Sequence, residues 1–170
     1  KGVADWIASF VIKTKRGYES RHLASPNELY HNVDNDAEFH LFMKAALKEA
    51  VWCGRHLGYN VPVIWPDIIE KLYMPVHKKT GAVIQFEGFK PNKKQGCSVG
   101  PMYSRFPLDF SYGQKTDKAT WKYFLKNMSS YFGSPMSSSF CSVWAARLGK
   151  RKQALQALEK GIASRVVDPF

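Results

Sequence analysis

The chain has 170 residues and a formal net charge of +11, from 25 lysines and arginines against 14 aspartates and glutamates. Apolar residues make up 45% of it and aromatic residues 14%, enough to bury a core, which excludes a disordered tail. No stretch approaches the roughly 20 apolar residues needed to cross a bilayer, so we expect no membrane partner. Cys53, Cys97 and Cys141 lack metal-ligand spacing. We therefore expect three reduced, largely buried thiols, without a metal site or a disulfide framework.

The N-terminal part predicts a short helix, a strand-like stretch and a polar loop. Apolar residues recur at helical spacing over 4–13, and Gly17 ends this element. Residues 18–23 have a strand-like composition. Residues 24–35 are rich in serine, proline and asparagine, which is typical of a loop.

The clearest element is a long amphipathic helix predicted over 36–57, where apolar residues repeat every three or four positions. Asn35 is positioned to cap its first turn, and Glu38, three residues later, would complete a capping box. Gly58 follows the last turn, as a C-terminal cap does. This helix begins directly after the polar loop.

The rest of the chain predicts further helices, one strand and one long loop. The helices are predicted over 65–72, 116–131, 137–148 and 152–164. Leu155, Leu158 and Ile162 form the apolar face of the last one. A strand is predicted over 82–86, and the prolines of 87–109 favour an irregular loop of a length that is often functional. Short links between helices imply antiparallel neighbours, so the fold class is all-α with long loops and minor β.

Glu28 is the candidate general acid, because it lies among asparagine, tyrosine, histidine and aspartate residues in the polar loop. A carboxyl group close to aromatic rings has its charged form disfavoured, which raises its pKa towards that of an acid catalyst. The alternative is a solvated glutamate in an ordinary loop, and residue chemistry alone favours this alternative.

Lys94 and Gln95 are candidate substrate-binding residues, since they follow the aromatic turn Phe86-Glu87-Gly88-Phe89. Lysine and glutamine together supply several hydrogen-bond donors that could hold sugar hydroxyls. A basic loop without a ligand is the alternative at this position.

The remaining positive charge falls in short clusters at 13–16, 78–79, 93–94 and 150–152. A nucleic-acid-binding protein would use such charge on phosphates. No nucleic-acid-binding motif accompanies the clusters, so the pattern favours a solvated surface and no specific nucleic-acid partner.

Several motifs, taken in order, resemble glycoside hydrolase family 65. That family has a Pro-(Asp/Asn)-Glu-aromatic-His stretch followed by Val-(Asn/Asp)-Asn at the start of a long helix. The corresponding segments here are Pro26-Asn27-Glu28-Leu29-Tyr30 and Val33-Asp34-Asn35. Further likenesses are Ile64-Trp65-Pro66 with Met74-Pro75-Val76, Phe86-Glu87-Gly88-Phe89, Lys94-Gln95, Ser134-Pro135-Met136 with Trp144, and Asp168-Pro169-Phe170.

The resemblance implies that residues 1–170 form the C-terminal portion of an (α/α)6 barrel. It also implies an inverting glycosidase that hydrolyses a terminal α-linked glucose from a disaccharide unit such as glucosyl-galactosyl-hydroxylysine. Glu28 matches the family's general acid, and Lys94 and Gln95 match positions that hold the non-reducing glucose. The catalytic base is expected beyond Phe170. A carbohydrate is the implied partner, and no metal or organic cofactor is expected.

Departures from the family pattern keep alternatives open. Leu29 replaces the aromatic residue after the acid, Glu38-Phe39-His40 replaces Tyr-Thr-Asn, and Gly96-Cys97 follows Lys94-Gln95. A family phosphorylase of an α-glucosyl disaccharide, or a non-catalytic basic binding protein on the same fold, are the alternatives. We expect the chain to be a fragment that is inactive and marginally stable by itself. The glycosidic linkage, the acceptor, the oligomeric state and the compartment stay open, with a slight preference for the cytoplasm.

Overall fold

A computed structural model describes residues 1–25, 30–91, 100–127 and 135–163, and the chain divides into two compact units, 1–75 and 76–170. The first unit contains α1 (Gly2–Phe10), β1 (Ile12–Thr14), β2 (Gly17–Glu19), α2 (Ala37–His56) and α3 (Ile64–Lys71). The second contains a 3-10 helix (Gly100–Ser104), α4 (Gln114–Asn127), α5 (Pro135–Arg147) and α6 (Arg151–Ala163). The described residues are mostly helical with one two-stranded sheet, which confirms the predicted fold class.

The core of the first unit forms where α1, β2, α2 and α3 bury their apolar faces together. Residues three or four apart in a helix share a face, so the periodic apolar positions of α2 meet those of α1 and α3. The buried side chains are Ala4, Ile7, Tyr18, Met43, Leu47, Val51, Trp65, Ile68 and Leu72.

The strand-like prediction for 18–23 corresponds to an antiparallel hairpin of β1 and β2, in which Ile12 pairs with Glu19 and Thr14 with Gly17. Gly17 has a φ of +120°, and a Cβ there would lie 2.0 Å from the carbonyl oxygen of Lys71. A glycine is therefore required at this position. The hairpin directs the next residue, Ser20, towards the polar loop.

Helix α2 begins one residue later than the sequence suggested, because its N-cap is Asp36 and not Asn35. The Asp36 side chain accepts the backbone N–H of Phe39, which is the usual N-cap bond. Asn35 has a φ of +54°, and its side chain bonds the backbone of Ser20 instead. At the other end, the predicted cap at Gly58 is confirmed by its φ of +72°.

In the second unit, α5 and α6 pack against each other across the turn at Gly149, which has a φ of +72°. The face of α6 towards the core consists of small residues, Ala154, Ala157 and Gly161, which permit a close helix approach. The indole N–H of Trp144 donates to the carbonyl of Met102, which joins α5 to the 3-10 helix.

Three further expectations from the sequence are wrong. Residues 82–86 are not a strand, since Val83 makes one isolated bridge to Val76 and donates its N–H to the Thr120 hydroxyl, 3.0 Å away. Cys53 is exposed, whereas Cys141 is buried as expected. The apolar face predicted for α6 points outward, with Leu155, Leu158 and Ile162 exposed by 55%, 44% and 56%. None of the helices in the described ranges combines the length and apolar character that crossing a membrane requires.

Candidate active site

Backbone hydrogen bonds join the residues just before the predicted acid to those just after it. Leu23 and Val33 exchange both backbone hydrogen bonds, at 2.8 and 2.9 Å, and the N–H of Ser25 donates to the carbonyl of Tyr30 at 2.8 Å. Glu28 itself falls in 26–29, outside the described residues. The residues on either side of 26–29 are therefore joined to each other by backbone hydrogen bonds.

A buried carboxylate joins Ser25 to the start of α2. The Ser25 hydroxyl donates to Asp36 Oδ2 at 2.7 Å, and Asp36 Oδ1 accepts the N–H of Phe39 at 3.1 Å. Asp36 is completely buried, and burial raises the pKa of its carboxyl group. Asp36 thus caps α2 and also binds the side chain of Ser25 in the polar loop.

Asn35 connects the polar loop with β2. Its amide oxygen accepts the N–H of Ser20 at 3.0 Å, its own N–H donates to the Ser20 carbonyl at 3.0 Å, and its amide nitrogen donates to Glu19 Oε2 at 3.0 Å. These bonds need the left-handed backbone that asparagine tolerates well. Asn35 is therefore committed to β2, which explains why it does not cap α2.

Glu19 lies at the centre of this arrangement and is 1% exposed. Its carboxylate accepts from Thr14 Oγ1 at 2.5 Å, from Arg16 at 2.5 and 3.1 Å, from Arg21 at 2.9 Å and from Asn35 at 3.0 Å. The hydrogen bonds from Arg16 are the main reason why its pKa lies at about 2. Glu19 therefore stays charged at any physiological pH.

Asp34 forms a second connection between the two stretches of chain, beside the one that Glu19 makes. Arg21 also donates to Asp34 Oδ2 at 2.8 Å, and Asp34 Oδ1 accepts the N–H of His22 at 3.1 Å. The side chains and backbones of 19–25 are thereby joined to 30–36 along their whole length. We call this set the polar frame; it consists of Glu19, Ser20, Arg21, Ser25, Asp34, Asn35 and Asp36.

His40, to which the sequence assigned no role, lies behind the frame and is completely buried. Its Nδ1 lies 2.6 Å from the carbonyl of Tyr73, which can only accept, so we place the proton on Nδ1. Its Nε2 then accepts from the Ser20 hydroxyl at 2.6 Å. Burial lowers the pKa of His40 to about 4, and the ring is therefore neutral.

Glu38, which the sequence suggested as a capping residue, is the described carboxyl group with the pKa of an acid catalyst. Burial, and then the nearby charge of Asp36, raise its pKa to about 7. A carboxyl group with this pKa is partly protonated at neutral pH, as a general acid must be. The burial comes from folding, so periodicity could not have shown it, whereas the second charge lies only two residues away in the sequence.

Lys94 and Gln95 fall in 92–99, outside the described residues, and belong to the second unit. The preceding aromatic turn is confirmed, because the N–H of Phe89 donates to the carbonyl of Phe86 at 3.1 Å and Gly88 has a φ of +79°. Within the described ranges, no three histidine, cysteine, aspartate or glutamate side chains are grouped so that they could hold a metal ion.

Two surface depressions of the first unit lie away from the polar frame. One, of about 610 Å³, is lined by Lys48, Trp52, Arg55 and His56, among others, near the end of α2. The other, of about 380 Å³, lies around Cys53, Leu57, Tyr59 and Trp65. No residue of the polar frame lines either depression, so neither is part of the candidate active site.

Comparison with known proteins agrees with the motifs. No protein-family model matches the chain. It is 25% identical over 162 residues to the protein-glucosylgalactosylhydroxylysine glucosidase of Danio rerio, covering 94% of this chain and 24% of that protein. A solved structure, a putative kojibiose phosphorylase from the human microbiome, matches 96% of this chain and 28% of its own, with a TM-score of 0.60 and 16% identity.

The likeness to the solved phosphorylase shows that the chain shares the mostly helical fold of the part of that structure it matches. The resemblance to glycoside hydrolase family 65 is confirmed by the curated glucosidase and the solved phosphorylase together. The chain spans about a quarter of the length of both relatives.

Proposed function

We propose that the chain is the C-terminal portion of the catalytic barrel of an inverting glycosidase. The substrate would be a disaccharide unit with a terminal α-linked glucose, such as glucosyl-galactosyl-hydroxylysine. The observation that supports this most is the alignment of 94% of the chain with a glucosidase named for that unit. The backbone hydrogen bond from Ser25 to Tyr30 supports it further, because it holds the residues on both sides of 26–29, and a catalytic residue needs such a fixed surrounding.

In the proposed reaction Glu28 is the general acid. Its carboxyl proton is transferred to the glycosidic oxygen as the bond to the anomeric carbon breaks. A second carboxylate, which we assign to no residue of this chain, removes a proton from a water molecule that attacks from the opposite face. In inverting enzymes the two carboxyl groups are about 6.5–9.5 Å apart, which leaves room for that water. Lys94 and Gln95 would hold the hydroxyls of the non-reducing glucose, while the rest of the disaccharide unit leaves with the proton from Glu28.

The test is glucose release by the complete product of the gene, comparing the native protein with Glu28→Gln and Glu38→Gln. Loss of the acid should lower kcat by about 100-fold or more, because general acid catalysis contributes about 10²- to 10⁴-fold. Glu38→Gln is the informative comparison. The pKa of Glu38 is about 7, so Glu38 is the other candidate for the general acid. Near-native turnover in Glu28→Gln would refute the assignment, and loss of activity in Glu38→Gln alone would move the role to Glu38.

A phosphorylase is the second candidate, favoured by the fold likeness to a putative kojibiose phosphorylase. Phosphate would then replace water as the nucleophile, and the product would be glucose 1-phosphate. Measuring free glucose and glucose 1-phosphate, with and without inorganic phosphate, separates the two reactions. A hydrolase releases free glucose at the same rate in both, whereas a phosphorylase needs the phosphate.

A further inference from the structure

The second unit contains a depression between the turn at 77–81 and helix α4, with a volume of about 510 Å³. We call it the basic pocket; it is lined by His77, Thr80, Pro91, Ala119, Lys122, Tyr123 and Lys126. Its volume lies within the range of about 300–1,000 Å³ that is usual for small-molecule sites. The described lining contains two lysines and no carboxylate, which favours a negatively charged ligand.

The stability of α4 does not explain its lysines. Lys118, Lys122 and Lys126 follow each other at intervals of four residues, and like charges at this spacing destabilise a helix. The acidic residue of α4, Asp117, is completely buried and accepts a hydrogen bond from Arg105. Across the described ranges, none of the three lysines has an ion-pair partner. Their charge is therefore available to a ligand.

Contacts within the unit hold the two walls of the basic pocket together. The N–H of Val83 donates to the Thr120 hydroxyl at 3.0 Å, which joins the segment after the turn to α4. The rings of His77 and Tyr123 have their centroids 5.4 Å apart. A site that is formed in advance binds more tightly, because less conformational freedom is lost when the ligand arrives.

The turn at 77–81 is also ordered by its own hydrogen bonds. The N–H groups of Thr80 and Gly81 donate to the carbonyl of His77 at 3.2 and 2.9 Å. The Thr80 hydroxyl lies 3.0 Å from His77 Nδ1. These bonds hold both polar side chains that the turn contributes to the lining in fixed positions.

The lining suits a sugar that carries an anionic group. A lysine ammonium group is a compact charge with three donors, which can bind sulfate, phosphate or carboxylate oxygens. The rings of Tyr123 and Pro91 offer apolar surface to the C–H groups of a sugar. Lys118, one turn before Lys122, and the exposed lysines at 78–79 extend the charge beyond the pocket. A chain of sugars with several anionic groups could contact all of them.

We propose that the basic pocket is a second carbohydrate-binding site, which takes a sugar chain that bears sulfate, phosphate or carboxylate groups. The choice of a sugar over another polyanion rests on the proposed function. The site takes no part in bond cleavage. It should therefore affect the binding of an anionic sugar and leave the release of glucose from a neutral disaccharide unchanged.

The experiment measures the binding of a sulfated heparin hexasaccharide to the complete gene product by isothermal titration calorimetry. The native protein is compared with Lys122→Gln/Lys126→Gln and with Lys150→Gln/Lys152→Gln. The second pair is the matched control, because both double variants remove two exposed charges from the second unit. Neutral maltohexaose tests whether the anionic groups are needed, and single-stranded DNA tests whether the sugar is needed.

We expect Lys122→Gln/Lys126→Gln to weaken hexasaccharide binding by about 10-fold or more, because hydrogen bonds to charged groups are strong. The control pair should stay within about threefold of native, since distant surface charges contribute little. Ala119→Phe, which fills the pocket and keeps the net charge, should also weaken binding by about 10-fold. Glucose release should stay within about twofold of native in all three variants.

The inference is overturned if the native protein does not bind the hexasaccharide, or binds maltohexaose or DNA equally well. It is also overturned if the two double variants weaken binding equally, if Ala119→Phe binds as the native protein does, or if the pocket variants lose glucose release. Glu28→Gln, assayed alongside, tests the proposed function separately. Full glucose release by Glu28→Gln refutes the role of Glu28 in catalysis, whereas the calorimetry decides the second site.

Discussion

The stability of the first unit should depend on pH through His40. This ring is completely buried between the Ser20 hydroxyl and the Tyr73 carbonyl, and burial lowers its pKa from 6.5 to about 4. The groups whose charges also act on it are Glu19, which raises its pKa, and Lys44, which lowers it. Neither outweighs burial, so the folded protein holds His40 neutral.

The magnitude follows from the difference between the two pKa values. The unfolded chain binds a proton at His40 below pH 6.5, whereas the folded chain does so only below about pH 4. Stability is therefore fully present above pH 6.5 and falls as the pH drops towards 4. With about 1.4 kcal/mol for each pKa unit, the loss amounts to about 3 kcal/mol by pH 4.

The assay is urea unfolding at pH 7, 6, 5 and 4 for the native chain and His40→Gln. The variant is less stable at pH 7, because the Tyr73 carbonyl loses its donor. Its free energy of unfolding should, however, fall by about 3 kcal/mol less than that of the native chain between pH 7 and pH 4. His56→Gln, exposed on the same helix, is the matched control and should follow the native curve. Parallel curves for the native chain and His40→Gln would refute the reasoning.

Two further predictions concern helix ends and exposed surfaces. Gly58→Ala should lower the free energy of unfolding by about 1 kcal/mol in urea titrations, because an L side chain is strained at a φ of +72°, whereas Gly2→Ala should change it little. Replacing Leu155, Leu158 and Ile162 together by glutamine should reduce self-association in light scattering, since these exposed side chains form one apolar face of α6. An unchanged stability in the first case, or unchanged association in the second, would contradict these predictions.

The sequence identified some of the residues of the candidate site and missed others. It pointed to Glu28, Lys94 and Gln95, and their roles stay predictions because all three lie outside the described residues. It did not lead to Glu19 or His40 as members of a buried network. The clustering of aspartate and asparagine at 34–36, directly before a helix, was the one local signal that such a network could form.

What the sequence determined by itself were the features that depend on near neighbours. The course of α2 and the stops at Gly58 and Gly149 follow from spacing over three or four residues and from one backbone angle. Tertiary structure alone decided what distant partners supply. The N–H of Val83 donates to a hydroxyl 37 residues away, and no strand forms there. Burial keeps His40 neutral, and its Nδ1 bonds a carbonyl 33 residues away. Burial and hydrogen bonding depend on which segments meet, and no local pattern contains that information.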